Sequence, residues 1–168
     1  MMDFLEKDLS RNTFLKLSIK AFAITALSIK GVNCGNSLVT PLLKGISQEE
    51  YFNMQSIAEI FLEGNPVPNF DLGKALDDYI YGHPSPIQTK DLVHELAGAP
   101  SSILAALLLD FSLTPLVKLS REEREKRLLS WKNSSSQMKR GLFGVLRQFS
   151  MFLLASNKEY QKAIGYEV

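Results

Sequence analysis

Two histidines, one cysteine and two adjacent aspartates are the first side chains to question for chemistry in this sequence. Nucleophilic catalysis needs a serine or cysteine beside a base that is itself oriented. His83 stands in the proline-rich "GHPSP" and His94 in "KDLVHELAG", and neither belongs to a recognisable nucleophile motif. They read as a surface-loop histidine and a helix-face histidine. Cys34 and the histidines have no metal-ligand spacing, and the chain holds neither a His-x-x-x-His nor a Cys-x-x-Cys pair. Asp77 and Asp78 are consecutive, so on a helix they diverge and form no acid/base pair by themselves. Both are expected to be ordinary exposed carboxylates. "GLFGV" (Gly141 to Val145) sits in a helical pattern rather than after a strand, which excludes a dinucleotide loop. Its glycines are expected to permit close helix packing. No catalytic, cofactor-binding or metal-ligating residue is therefore expected.

The elements that would carry these residues are helical. "SQEEYFNMQSIAEIFLEG" opens on Ser47 with Glu50 three residues later, a capping box, and places Met54, Ile57, Ile60 and Phe61 on one face. "NPVPNF" must be a loop, because two prolines within four residues cannot continue a helix. Asp71 can cap a second helix, in which Leu72, Leu76 and Ile80 recur every four residues. "IQTKDLVHELAGAP" gives a third, stopped or kinked near Pro100. "SSILAALLLDFSL" is apolar nearly all round, which marks it as the expected central, buried helix. Ser120 with Glu123 forms a second capping box before "REEREKRLLSWKN", whose mixed charges read as a solvated face. After the "SSS" break, the last long helix carries Leu142, Leu146, Phe149 and Leu153 on one side. No segment alternates with a period of two between turn signals. The expected fold is all-α: a single compact domain of about six helices over 47–168, a linker over 34–46, and a signal-like segment over 1–33.

Charge narrows the partners. The chain has 19 basic and 18 acidic residues, and no concentrated basic run of the kind phosphate binding requires, so nucleic acid is not expected. With one cysteine, no disulfide can form within a single copy. The apolar or small run Ala21 to Ile29 covers nine residues, against the ~20 a membrane helix needs, and fits the core of an export signal.

The start of that segment, "SRNTFLK", resembles the Ser-Arg-Arg-x-Phe-Leu-Lys signature of twin-arginine export signals, with Asn12 in place of the second arginine. The resemblance assigns recognition to Arg11, Phe14, Leu15 and Lys16. Cys34 follows the apolar run in "IKGVNCGN", where lipid attachment would place it, although Gly31 stands where Leu is usual. An exported helical lipoprotein acting as a binding module without a redox partner is thus one reading.

The second half carries a further likeness. "LSREEREKRLLSWKNSSSQMKRGLFGVLRQF" has the form Leu-Ser-x-x-x-Arg, then Leu-x-x-Trp-x-x-Ser, then a Phe/Leu-rich helix, and the end supplies Ile-Gly-Tyr. Over roughly 47–168 the chain resembles the gluconate 2-dehydrogenase subunit 3 group, the small gamma subunits of membrane-associated flavin-dependent dehydrogenases. It is also similar to the helical region preceding the flavin domain of long-chain alcohol oxidases. The resemblance implies a non-catalytic subunit that binds a large flavoprotein of the glucose-methanol-choline type and supports its maturation and export to the periplasm. FAD would reside in that partner, with or without a cytochrome c subunit in the complex. Membrane association would be indirect or through a lipid on Cys34. The docking residues expected in the carboxyl-terminal half are Trp131, Ser134, Phe143, Tyr160, Ile164, Gly165 and Tyr166. Large aromatics supply contact area at interface cores, while Trp131 could equally pack inside the domain itself.

Overall fold

The structure, a computed structural model, describes residues 41–85 and 87–166. The expected leader residues Arg11, Phe14, Leu15 and Lys16, and Cys34, lie outside the described residues. Seven α-helices and no strand occur among those described: α1 Gln48–Phe61, α2 Leu72–Tyr81, α3 Lys90–Gly98, α4 Ile103–Asp110, α5 Arg121–Lys132, α6 Gln137–Ala155 and α7 Lys158–Ala163. Short 3-10 turns at Ala99–Ser101 and Leu116–Lys118 flank α4. The all-α expectation holds, and the seventh helix is the carboxyl-terminal tail.

Local signals set the helix starts. Both capping boxes form: the Ser47 and Ser120 side chains accept from the amides of Glu50 and Glu123, whose carboxylates accept in return from the cap amides. Asp71 caps α2 by accepting from the Lys74 amide at 2.7 Å. Each cap of this kind stabilises its helix by about 1 kcal/mol. Pro100 ends α3 and sits in the 3-10 turn that redirects the chain into α4.

The helix shared by the packing layers is α1, which lies against α2, α3, α5 and α6. Its Met54 and Ile57 are completely buried, and they serve different sides. Met54 joins Leu72, Leu76, Ile80, Val93, Leu153 and Leu154 in a first core. Ile57 joins Ala105, Leu109, Leu116, Leu128, Trp131 and Leu146 in a second. Gly73 allows the α1–α2 contact, because a β-carbon there would stand 2.9 Å from the Tyr51 carbonyl oxygen.

Four expectations fail. The apolar helix α4 is not central: Ala105, Ala106 and Leu109 are buried, but Ile103, Leu107 and Leu108 are exposed. It enters none of the principal helix–helix packings. Uniform hydrophobicity reports that a helix avoids water, not which element shields it. Asp77 is not an exposed carboxylate; it is fully buried, whereas Asp78 is exposed. Arg124 in the mixed-charge run is also buried, donating to the Ser56 carbonyl and Glu59. Gly141 and Gly144 permit no close approach, since a β-carbon at either would meet nothing within 4 Å.

Candidate docking surface

The interior is held by three polar assemblies, and they decide which side chains are left for a partner. Asp77 accepts from the backbone amides of Lys44, Gly45 and Ile46 at 2.7, 2.9 and 3.2 Å. Burial pushes its carboxyl pKa up, but those amides and Lys74 outweigh burial and hold it below its ordinary value. Residues 44–46, the end of the expected linker, are thereby strapped to α2, with Ile46 buried in the first core.

The second assembly joins α1, α2 and α3. His94 Nδ1 lies 2.6 Å from Glu50 Oε1, and His94 Nε2 lies 3.0 Å from the Tyr81 hydroxyl. An ionised carboxylate only accepts, so Nδ1–H donates to Glu50; with a neutral imidazole, Nε2 then accepts from Tyr81. Glu50 is also the capping-box residue of α1, and Lys90 Nζ stands 4.4 Å over the Tyr81 ring. The geometry ties three helices through one imidazole. His83 is exposed in its loop, as expected, with its ring edge-on to Tyr79.

The third assembly surrounds Trp131. Its indole N–H donates to Asp110 at 2.8 and 3.0 Å, and Asp110 pairs with Lys139 at 3.0 Å and Arg127 at 3.7 Å. Trp131 is buried in the second core. The expectation of Trp131 as a docking contact is corrected: its ring is enclosed by α4, α5 and α6 residues of its own domain.

The other expected contacts divide. Phe143 is half-buried, edge-on to Phe61 at 5.2 Å between centroids. Ser134 is half-buried; its hydroxyl accepts from the Ser136 amide, and its carbonyl accepts from Arg140. Ser134 shapes the α5–α6 junction, and Phe143 packs α6 against α1. Tyr160 packs against the first core. Ile164 and Tyr166, by contrast, are exposed, and the helix that leads to them, α7, buries no residue. Gly165 provides the positive φ of 90° that turns the chain after α7, so that the Tyr166 amide reaches the Gln161 carbonyl at 2.9 Å.

Rings from α2 and α6 form a cluster that the sequence reading did not single out. Tyr79 is edge-on to Phe149 and to Phe152, each at 5.6 Å, and Phe149 stacks with Phe152 at 6.3 Å. Phe152 is 49% exposed, too much for a core residue, and Met151 beside it is also exposed. The available signal was Phe152's position off the Leu142–Leu146–Phe149–Leu153 face. Its pairing with Tyr79, more than 70 residues earlier, had none. Phe152, Ile164 and Tyr166 are thus exposed, while Tyr79 and Phe149 are half-buried against the first core.

A groove of about 740 Å³ also lies between α1 and the loop at 64–70, lined among others by Tyr51, Phe52, Gln55, Leu62 and Phe70. Its polar walls are already engaged: Tyr51 and Gln55 donate to Asp71, and Glu59 and Glu63 pair with Arg124 and Arg121. Among the described residues no group of three or more His, Cys, Asp or Glu side chains could hold a metal ion. No single described helix is long and apolar enough to cross a membrane. No protein-family model, characterised protein or solved structure matches the chain.

Proposed function

We propose that this chain is a non-catalytic small subunit that docks onto a large flavin-dependent dehydrogenase of sugars, sugar acids or alcohols, and supports its maturation and export. The supporting observation is the half-exposed ring of Phe152, packed against Tyr79 and Phe149, together with the exposed tail residues Ile164 and Tyr166. Aromatic side chains left half in water are the usual material of interface centres. Phe149, Phe152 and the Ile-Gly-Tyr ending lie within the part of the sequence that resembles the gamma-subunit group. On this reading FAD and turnover belong to the partner, and the small subunit contributes a preformed apolar surface and the export address.

The test is co-expression with a glucose-methanol-choline type flavoprotein. Wild-type chain should recover the flavoprotein in soluble, flavin-loaded form. Phe152→Ala and Tyr166→Ala should each lower co-purification about tenfold, as loss of an interface anchor does. Equal recovery with both substitutions combined, or a stoichiometric flavin bound to the small chain alone, removes the proposal.

A further inference from the structure

The least explained part of the molecule is the far end of α4. Phe111 caps this helix in the left-handed conformation, at φ 51° and ψ 35°, where glycine or asparagine is the usual choice. Its ring is 91% exposed, so no contact within the domain offsets that strain. Leu113 follows at 72% exposure, and Ile103, Leu107 and Leu108 extend the apolar surface back along the helix. These five side chains form an aliphatic edge that ends in a protruding aromatic ring.

The base of the protrusion is cationic. Arg127 donates to the Thr114 carbonyl at 2.7 Å and the Ser112 hydroxyl at 3.3 Å, so its guanidinium holds the 111–114 turn from beneath. Lys139 stands beside it on Asp110. Two cations face that one carboxylate, which also accepts the Trp131 N–H, leaving a local excess of one positive charge. Exposed Lys118 lies in the 3-10 turn that follows. The preceding helix α3, bent by 74° from α4, turns Val93 and Ala97 into the first core, so the exposed apolar surface is that of α4 and the turn after it. The bend and the short length of α4 suit an edge that enters a bilayer surface rather than a helix that crosses it.

We propose that the α4 edge is a monotopic membrane-contact site, with Phe111 and Leu113 entering the acyl boundary of an anionic bilayer while Lys118 and the partly exposed Lys139 meet its headgroups and Arg127 holds the 111–114 turn. An apolar tip above a cationic base matches a surface whose charge lies outside its hydrocarbon. A protein partner would need no such layering, and the edge shares no residue with the ring cluster of α2 and α6 or with the tail.

The test uses the full chain and vesicles of phosphatidylcholine with or without phosphatidylglycerol. The chain should sediment with phosphatidylglycerol vesicles, less with pure phosphatidylcholine, and less again at high salt. Phe111→Gly removes the ring while relaxing the left-handed backbone, so the variant should keep its helix content and melt no lower than the wild type, yet partition about tenfold less. Trp131 is the chain's one tryptophan and touches the last residue of α4. Brominated acyl chains should therefore quench its emission in the wild type and not in Phe111→Gly. Equal partition of the two proteins overturns the proposal. Vesicle binding without Trp131 quenching also overturns it, because contact would then lie elsewhere on the chain. Self-association abolished by Phe111→Gly in the absence of vesicle binding would assign the edge to a second copy and overturn it as well.

Discussion

Asp77 and Asp110 each organise one of the two cores, and they do so by different means. Asp77 is sealed within the domain and accepts three backbone amides, so it fixes the path of the main chain. Asp110 lies at the end of α4 and accepts only from side chains: an indole, an ammonium and a guanidinium. In the first region the polar groups around Asp77 are turned inward and the helices are bound through His94 and Tyr81, with Phe152 exposed at its margin. The second is closed on one side only, and the apolar edge of α4 remains in water. A carboxylate that holds backbone makes a rigid foundation, whereas one that holds side chains positions a surface.

The largest blow to the second region is Trp131→Ala. Removing a buried indole should cost about 3–5 kcal/mol in denaturant unfolding and leave Asp110 without its N–H donor. Trp131→Phe fills most of the space but, like Trp131→Ala, has no N–H, so its own loss reports mainly the hydrogen bond and the further loss in Trp131→Ala reports the cavity. A loss below 1 kcal/mol for Trp131→Ala would show that the second core does not depend on the ring.

In the first region, Asp77→Ala should cost about 3 kcal/mol, because three amides lose their acceptor in a site closed to water. The pH dependence has a definite sign. The folded pKa lies below the ordinary value of 3.8, so Asp77's stabilisation is fully present above that value and is lost as pH falls through the folded pKa. Asp78, also lowered, adds in the same direction but is screened by its exposure. Acid titration of stability should thus be shallower in Asp77→Asn than in the wild type. An unchanged slope would deny Asp77 its place in the comparison.

A smaller effect of opposite sign is expected at the edge. Phe111→Gly should stabilise the isolated chain by up to about 1 kcal/mol, since it removes left-handed strain and no buried contact. Thermal unfolding would measure it, and destabilisation by more than 1 kcal/mol would mean that the ring has a partner within the fold. Least of all, Tyr166→Ala should move stability by no more than about 0.5 kcal/mol while reducing recovery of the flavoprotein.

What could be read in advance follows the same divide between local and distant causes. Ser47–Glu50, Ser120–Glu123 and the Asp71 cap are bonds across three residues, and each was legible from spacing alone. So was the buried row Leu72, Leu76 and Ile80. The burial of Asp77 was not, because its acceptors' partners are amides 31 to 33 residues earlier, and an amide has no sequence signature. Trp131 was undecided until Asp110 came into reach of its N–H. For α4 the pattern misled: an apolar helix can be in the centre of a domain or at its edge with the same composition. Of the expected contact residues, Ile164 and Tyr166 stand exposed, whereas Tyr79 and Phe152 emerged only from packing between α2 and α6.

The strap that Asp77 places on Lys44, Gly45 and Ile46 has a consequence for proteolysis. A protease needs its substrate extended and free to leave the surface, and here three consecutive amides are held while Lys44 Nζ also pairs with Asp78 at 2.8 Å. Trypsin should therefore cut slowly after Lys44 in the folded chain and rapidly in Asp77→Ala, giving the strap a readout as a cleavage rate. Trimming that stops before residue 44 leaves every bond of the strap in place, so the chain ahead of it can be processed without loosening the helices behind.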